Sequence, residues 1–135
     1  MPELSLKQKG MRRNVPITAT VAVYLGLTCT APVSATEAPF EPQLMRLAEV
    51  LGSLHFLRNL CGETGDDWRR QMEFLLESEN PEPARQARLI ARFNQGYTAF
   101  EANYIVCTEA AIEAIRRYMQ EGENLTRDVV TRYGN

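Results

Sequence analysis

The side chains with the clearest chemical potential are three cysteines, Cys29, Cys61 and Cys107. Cys29 lies in an apolar N-terminal stretch that resembles an export signal and would be removed with it. Cys61 and Cys107 then remain as a pair that would close a loop of about 47 residues. In an oxidising compartment an even pair of cysteines indicates a disulfide. Other thiol chemistry is less well supported, because a redox site usually has Cys-x-x-Cys spacing and a zinc site needs about four ligands. We therefore predict a structural disulfide between Cys61 and Cys107.

The only histidine, His55, is the natural candidate for acid–base chemistry. A catalytic base needs an oriented partner and a nucleophile within reach. No Gly-x-Ser-x-Gly or His-Glu-x-x-His motif accompanies it. It follows Leu54 at the edge of an apolar helical stripe, which favours a packed or surface histidine over a catalytic or ligand-binding one. The sequence thus indicates no catalytic residue, and we expect that the protein is not an enzyme.

Arginines and amides lie close together in the third predicted helix. Arg85, Arg88 and Arg92 recur at i, i+3 and i+7, which suits either an anion or acidic-partner site or an exposed, ion-paired face. The run Asn94-Gln95-Gly96-Tyr97 puts two amides and a glycine in an apolar seam. We expect Asn94 and Asn103 to cap a kink or to satisfy a buried backbone group, with contact to a ligand as the alternative. The candidate binding residues are Arg92, Asn94, Tyr97 and Tyr104.

The lack of lysine in most of the chain excludes the chemistry that depends on this residue. No lysine follows Lys9, so a Schiff base and a P-loop lysine are both excluded from the later chain, which also has no glycine-rich phosphate loop. Two cysteines and one histidine are too few for a typical zinc site. The sequence therefore predicts no cofactor and no metal ion.

Residues 1–35 have the three regions of an export signal. A basic start and an apolar run from Val15 to Leu27 precede the small-residue exit Val33-Ser34-Ala35, and the basic residues are Lys7, Lys9, Arg12 and Arg13. Either Met1 or Met11 fits as the start. We predict a signal peptide at residues 1–35, cleaved near Ala35, a flexible arm at 36–42 and a helical domain at 43–133. The predicted location is the periplasm.

The charge changes when the signal is removed. The remaining 100 residues hold eleven arginines and sixteen acidic side chains, a formal charge of −5. A net negative domain is a poor binder of nucleic acid. No later segment approaches the roughly 20 apolar residues that a membrane span needs. We expect no nucleic-acid partner and no transmembrane span after signal removal.

Apolar side chains then recur with helical periodicity. A first helix is predicted from about Glu41 to Leu60, followed by Gly62 as a favourable terminator. Its apolar stripe is Leu47, Val50, Leu54, Leu57 and Cys61. A second helix should begin after Asp66 and Asp67, which suit a helix N-terminus, and should end near Glu79.

The longest apolar seam belongs to the third helix and consists of Ile90, Phe93, Tyr97, Phe100, Tyr104, Cys107, Ala111, Ala114 and Tyr118. We predict one long helix from about Glu82 to Gln120. At Gly96 it is either bent or broken, or lets another helix pack close. Gly122 should end it, and a short helix from Leu125 to about Arg132 should follow, with Val130 among its inward-facing residues. The predicted fold is all-α: a small antiparallel bundle of three main helices and a short C-terminal helix, stapled by one disulfide.

Several stretches together resemble a small alphaproteobacterial family of secreted proteins, catalogued as a domain of unknown function. The resemblance is carried by the segments 47–58 and 60–62, by Trp68-Arg69 with Met72, by Phe93 to Tyr97, and by Tyr104 with residues 107–110. It covers nearly the whole predicted domain. It implies an envelope location and an all-helical, cysteine-paired domain, and it brings no activity or catalytic residues.

Two functional expectations follow. The first is a non-enzymatic periplasmic module that binds another envelope protein, because the chain combines an export signal and a cross-linked bundle with no recognisable catalytic set. The second is a small-ligand or anion-binding protein that uses the region around Asn94–Tyr97 and the nearby arginines.

Overall fold

Four helices make up most of residues 38–134, the part of the chain that the computed structural model describes. They are α1 (Glu41–Leu60), α2 (Asp67–Glu79), α3 (Pro83–Glu101) and α4 (Glu109–Tyr133), and the predicted all-α class is confirmed. The predicted signal peptide lies outside the described residues, so the domain division stays a prediction. Glu41 and Pro42 were placed both in the arm and at the start of the first helix, and they belong to α1, because proline is favourable in a first helical turn.

The first two helices have the predicted bounds. After α1, Gly62 adopts φ of 100°, a left-handed conformation that glycine reaches without steric penalty. After α2, Asn80 has φ of 39°, and its N–H donates to the Leu76 carbonyl. Both helices thus end in the left-handed turn that commonly terminates a helix.

The predicted bounds of the third and fourth helices are wrong. The break lies at residues 102–108 and not at Gly96, and α4 continues through Gly122 to Tyr133. The apolar seam therefore spans two helices and the connection between them.

Local capping explains this break. The Thr108 hydroxyl accepts a hydrogen bond from the Ala111 N–H at 3.2 Å, which starts α4. At the end of α3, Asn103 donates from Nδ2 to the Ala99 carbonyl at 2.7 Å. Capping side chains satisfy backbone groups that a helix end leaves unpaired, so a short connection here is stable.

The central helix is α1, which contacts each of the other three. α4 runs antiparallel to α1, since Arg46 meets Glu121 near one end and Leu57 packs with Ala111 near the other. One core cluster joins α1 to α2 and α3 and consists of Leu44, Ala48, Leu51, Met72, Leu89 and Phe93. A second joins α1 to α4 around Leu57, Ala111 and Ala114.

α1 and α3 cross at two glycines. A Cβ atom on Gly52 would overlap the Phe93 carbonyl, and one on Gly96 would overlap the Glu49 carbonyl. The Ser53 hydroxyl lies at this crossing, 3.3 Å from the Gly96 carbonyl oxygen and 3.0 Å from that of Glu49. Of the two interpretations of Gly96, close helix packing is confirmed.

The predicted disulfide joins Cys61 to Cys107, with the Cα atoms 4.9 Å apart. It joins the end of α1 to the segment 102–108, which precedes α4. Cys61 and Tyr104 also pack against the second core cluster, so the cross-link anchors residues 102–108 to the bundle.

Candidate functional site

The four predicted binding residues lie in different surroundings. Arg92 and Asn94 are exposed on α3. Tyr97 is half-buried and meets Phe56 edge-on at 5.3 Å between ring centroids. Tyr104 lies in the 102–108 connection, beside Phe100. Since α3 is unbroken at Asn94, this residue does not cap a helix break, whereas Asn103 does bond a backbone carbonyl where α3 ends.

His55 is a packed side chain, only 7% exposed. Its ring lies 5.9 Å from the Phe93 ring and 5.8 Å from the Tyr97 ring, between centroids. Nδ2 of Asn59 lies 3.3 Å from its Nδ1 and also donates to the His55 carbonyl at 2.7 Å. Two aromatic rings and an amide suit a structural imidazole, in agreement with the packed interpretation.

The surroundings of His55 favour its neutral form. Burial lowers its pKa from the usual 6.5, the positive charge of Arg69 lowers it further, and Asp66 opposes both effects. Asn59, which the sequence analysis missed, also exchanges two hydrogen bonds with the backbone of Gly65. It thereby ties the imidazole to the turn between α1 and α2.

Arg85, the first arginine of the predicted basic stripe, links three helices. Its guanidinium group contacts Glu41 in α1 at 2.7 Å and Glu79 in α2 at 2.8 Å. The Glu41 side chain is 4% exposed, so this is a largely buried ion pair. The hydrogen bonds that Arg85 donates to Glu41 and Glu79 raise its pKa against the opposing effect of burial. Arg85 therefore has a structural role.

The other two arginines of the stripe line an open groove between α1 and α3, which we name the arginine groove. Its volume is about 610 Å³. On α3 its wall is Arg88, Arg92 and Gln95, and on α1 it is Met45, Arg46 and Glu49, with Glu41 at one end. Arg92 is thus the one predicted binding residue that lines this groove.

Arg46 closes the side of the arginine groove nearest α4. Its Nε and Nη2 donate to the two carboxylate oxygens of Glu121 at 2.6 and 3.0 Å, and Nη1 donates to Glu49 at 2.8 Å. Its guanidinium carbon lies 5.5 Å from the centre of the Tyr118 ring. Only the i,i+3 spacing to Glu49 was visible in the sequence, because the bidentate pair with Glu121 depends on the tertiary fold.

A second open groove, the apolar groove, runs between α2 and α4 with α1 as its floor. It consists of two adjoining cavities of about 650 and 290 Å³ that share Leu47, Leu51, Gln71, Thr126 and Val130. Sequence analysis did not find it, because its walls come from two helices that lie far apart in the chain.

The walls of the apolar groove are two helical stripes with the same spacing. α2 contributes Asp67, Gln71, Phe74 and Ser78, and α4 contributes Met119, Glu123, Thr126 and Val130. Phe74 is 66% exposed and Val130 is 60% exposed. Val130 was predicted to face inward, which is wrong, because the C-terminal half of α4 turns this residue toward the groove.

The helical region just described coincides with a known family. A sequence model of the family described as protein of unknown function, DUF2385, matches residues 39–133. The chain belongs to this family. Neither the curated proteins nor the solved structures give a match. Membership of DUF2385 covers all four helices and confirms the resemblance to a domain of unknown function, and it brings no activity with it.

Two physical tests bear on the remaining possibilities for residues 38–134. None of their helices has the length of apolar side chains needed to cross a membrane. Within the same range, histidine, cysteine and acidic side chains form no cluster of three that would hold a metal ion. The candidate sites of this DUF2385 domain are the arginine groove and the apolar groove.

Proposed function

We propose that this protein is an exported, non-enzymatic domain of the cell envelope that binds another protein through its apolar groove. The observation that carries the proposal is the apolar groove itself, which leaves Phe74 and Val130 largely exposed above an apolar floor. Large contiguous apolar patches on the surface of a monomer often mark a site of protein binding.

The shape of the apolar groove favours a helical segment of the partner. Its floor residues Leu44, Leu47, Leu51 and Leu54 follow a 3-4-3 spacing, and both walls follow a 4-3-4 spacing. Side chains spaced in this way form ridges, and the side chains of an amphipathic helix can pack into the grooves between them. The floor from Leu44 to Leu54 is about 15 Å long at 1.5 Å per residue, room for about three turns of a partner helix.

Export is supported by the N-terminal sequence and by the disulfide. Residues 1–35 have the order of a signal peptide. The Cys61–Cys107 bond is of the kind that persists in oxidising compartments such as the periplasm. A non-enzymatic role is supported by the packed environment of His55 and by the absence of catalytic motifs from the sequence.

Site-specific photocrosslinking in cells tests the binding proposal. A photoreactive residue at Gln71, on the groove wall, should crosslink to one discrete protein. The same residue at Gln86, exposed on α3, is the matched control and should give no such product. Thr126→Arg, which places a long cation in the groove, should abolish the Gln71 product without lowering the melting temperature. Equal crosslinking from Gln71 and Gln86 would contradict the proposal.

N-terminal sequencing tests export separately. Protein recovered from the periplasmic fraction should begin directly after Ala35. A cytoplasmic chain that retains residues 1–35 would reject this part of the proposal and leave the groove experiment unaffected.

A further inference from the structure

We propose that the arginine groove binds a small zwitterion, a molecule that carries a carboxylate and an ammonium group a short distance apart. The carboxylate lies on the guanidinium groups of Arg88 and Arg92, and the ammonium group lies against Glu49 and Glu41. Amino acids and dipeptides are the simplest members of this class. The site is separate from the apolar groove and does not depend on the proposed function.

Two guanidinium groups of the arginine groove are uncommitted. Arg88 and Arg92 are one helical turn apart on α3, so their side chains are neighbours on one face. Neither forms an ion pair with any carboxylate of residues 38–134. Arg92 donates only to the Gln95 amide oxygen, at 3.1 Å. Paired planar guanidinium groups match the geometry of a carboxylate.

The opposite wall offers acceptors for a cation. Glu49 uses Oε1 to bind Arg46, and its Oε2 takes no hydrogen bond from residues 38–134. Glu41 uses Oε2 to bind Arg85, and its Oε1 is buried without a hydrogen-bond partner in the same range. Glu49 is the partly exposed acceptor on this wall, and the unsatisfied Glu41 oxygen makes this end of the groove favourable for a positive charge.

The overall charge selects a zwitterion over a polyanion. With the partners that Arg46 and Arg85 bind, the groove and its surroundings hold four arginines and four glutamates. This neighbourhood is neutral overall but divided, with the free cations on α3 and the free carboxylate oxygens on α1. A volume of about 610 Å³ is ample for a dipeptide and falls within the range of small-molecule sites.

Titrations followed by ¹H–¹⁵N NMR of the purified protein test this assignment. The probes are L-alanine and L-alanyl-L-alanine, with acetate and methylammonium as half-ligands and inorganic phosphate as a competing oxyanion. We expect saturable shifts of the Arg88 and Arg92 Nε–Hε signals, and at least tenfold tighter binding of one zwitterion than of acetate, methylammonium or phosphate. Equal affinity for acetate or phosphate, or no saturable shift with any probe, would overturn the assignment.

Charge-removing variants locate the binding. Arg88→Gln, Arg92→Gln and Glu49→Gln should each weaken zwitterion binding at least tenfold at an unchanged melting temperature. Arg116→Gln is the matched control, because Arg116 is exposed on α4 and paired with Glu113, and it should bind as the parent does. Undiminished affinity in both Arg88→Gln and Arg92→Gln would place the ligand elsewhere and reject the site.

Discussion

Arg46 and Arg85 each hold helices together with a single guanidinium group. Arg46 joins α1 to α4 through Glu121, and Arg85 joins α3 to α1 and α2 through Glu41 and Glu79. Hydrogen bonds to these carboxylates raise the pKa of both arginines, so both stay protonated wherever the protein is folded. The Arg85–Glu41 pair is largely buried, so removing one partner would leave an uncompensated buried charge, whereas both side chains of the Arg46–Glu121 pair are more than one-third exposed.

His55 should titrate below the usual imidazole range. Its pKa is lowered mainly by burial and then by Arg69, with Asp66 opposing. The unfolded chain therefore binds the proton more readily than the folded chain as the pH falls through 6.5. The free energy of unfolding should decrease from pH 7.5 to 5.5 and should level off once the folded imidazole is also protonated.

Because His55 is the only histidine, its imidazole signals report this titration directly in NMR spectra. His55→Phe keeps a ring between Phe93 and Tyr97 and should remove the loss of stability over this pH interval in urea denaturation. A folded-state midpoint at or above 6.5 would show that Asp66 outweighs burial.

At the scale of helices, the α1–α3 crossing depends on two positions that lack a Cβ atom. Gly52→Ala and Gly96→Ala should each lower the free energy of unfolding by about 3 kcal/mol, because the methyl group would meet a backbone carbonyl that cannot move aside. This exceeds the roughly 1 kcal/mol that alanine gains over glycine within a helix. Urea denaturation would measure the difference.

Gly65→Ala is the matched control for the crossing. A Cβ atom at Gly65 would have no heavy atom within 4 Å, so this variant should be as stable as the parent or slightly more stable. If Gly52→Ala and Gly96→Ala behaved like Gly65→Ala, the two helices would not be held at the observed separation.

Apolar periodicity predicted the fold class and the first two helices, and the even pair of cysteines predicted the disulfide, because each depends on local signals or on a simple pairing. It misplaced the third and fourth helices, since the apolar seam runs on through residues 102–108 and conceals the cap at Thr108. It also assigned Ile90 to the core, although Ile90 is 40% exposed and its neighbour Leu89 is fully buried. Burial depends on how α3 crosses α1, which spacing along one helix does not specify.

The grooves were predicted even less well, because they too depend on how the helices pack against each other. Arg92 was selected from the basic stripe and does line the arginine groove, but Asn94, Tyr97 and Tyr104 lie elsewhere. The opposite wall comes from α1, whose Glu49 and Arg46 resemble an ordinary surface pair in the sequence. A site formed between two helices has no signature in either helix alone.

At the scale of the molecule, α1 is shared by both core clusters while α2, α3 and α4 pack around it. The first cluster joins helices that are adjacent in sequence, but the second joins α1 to α4 across a long stretch of chain. The Cys61–Cys107 bond bridges this second region. We therefore expect reduction to loosen the Leu57–Ala114 cluster before the cluster around Leu89.

Replacing either cysteine should remove the whole stabilising effect of the disulfide. Cys61→Ser and Cys107→Ser should each destabilise the protein by up to about 4 kcal/mol, the loop-closure entropy of the cross-linked segment, and the double variant should lose little more. For a domain of this size that corresponds to a fall in melting temperature of about 15–30 °C, measurable by calorimetry. Additive losses from the two single variants would mean that Cys61 and Cys107 stabilise the fold independently.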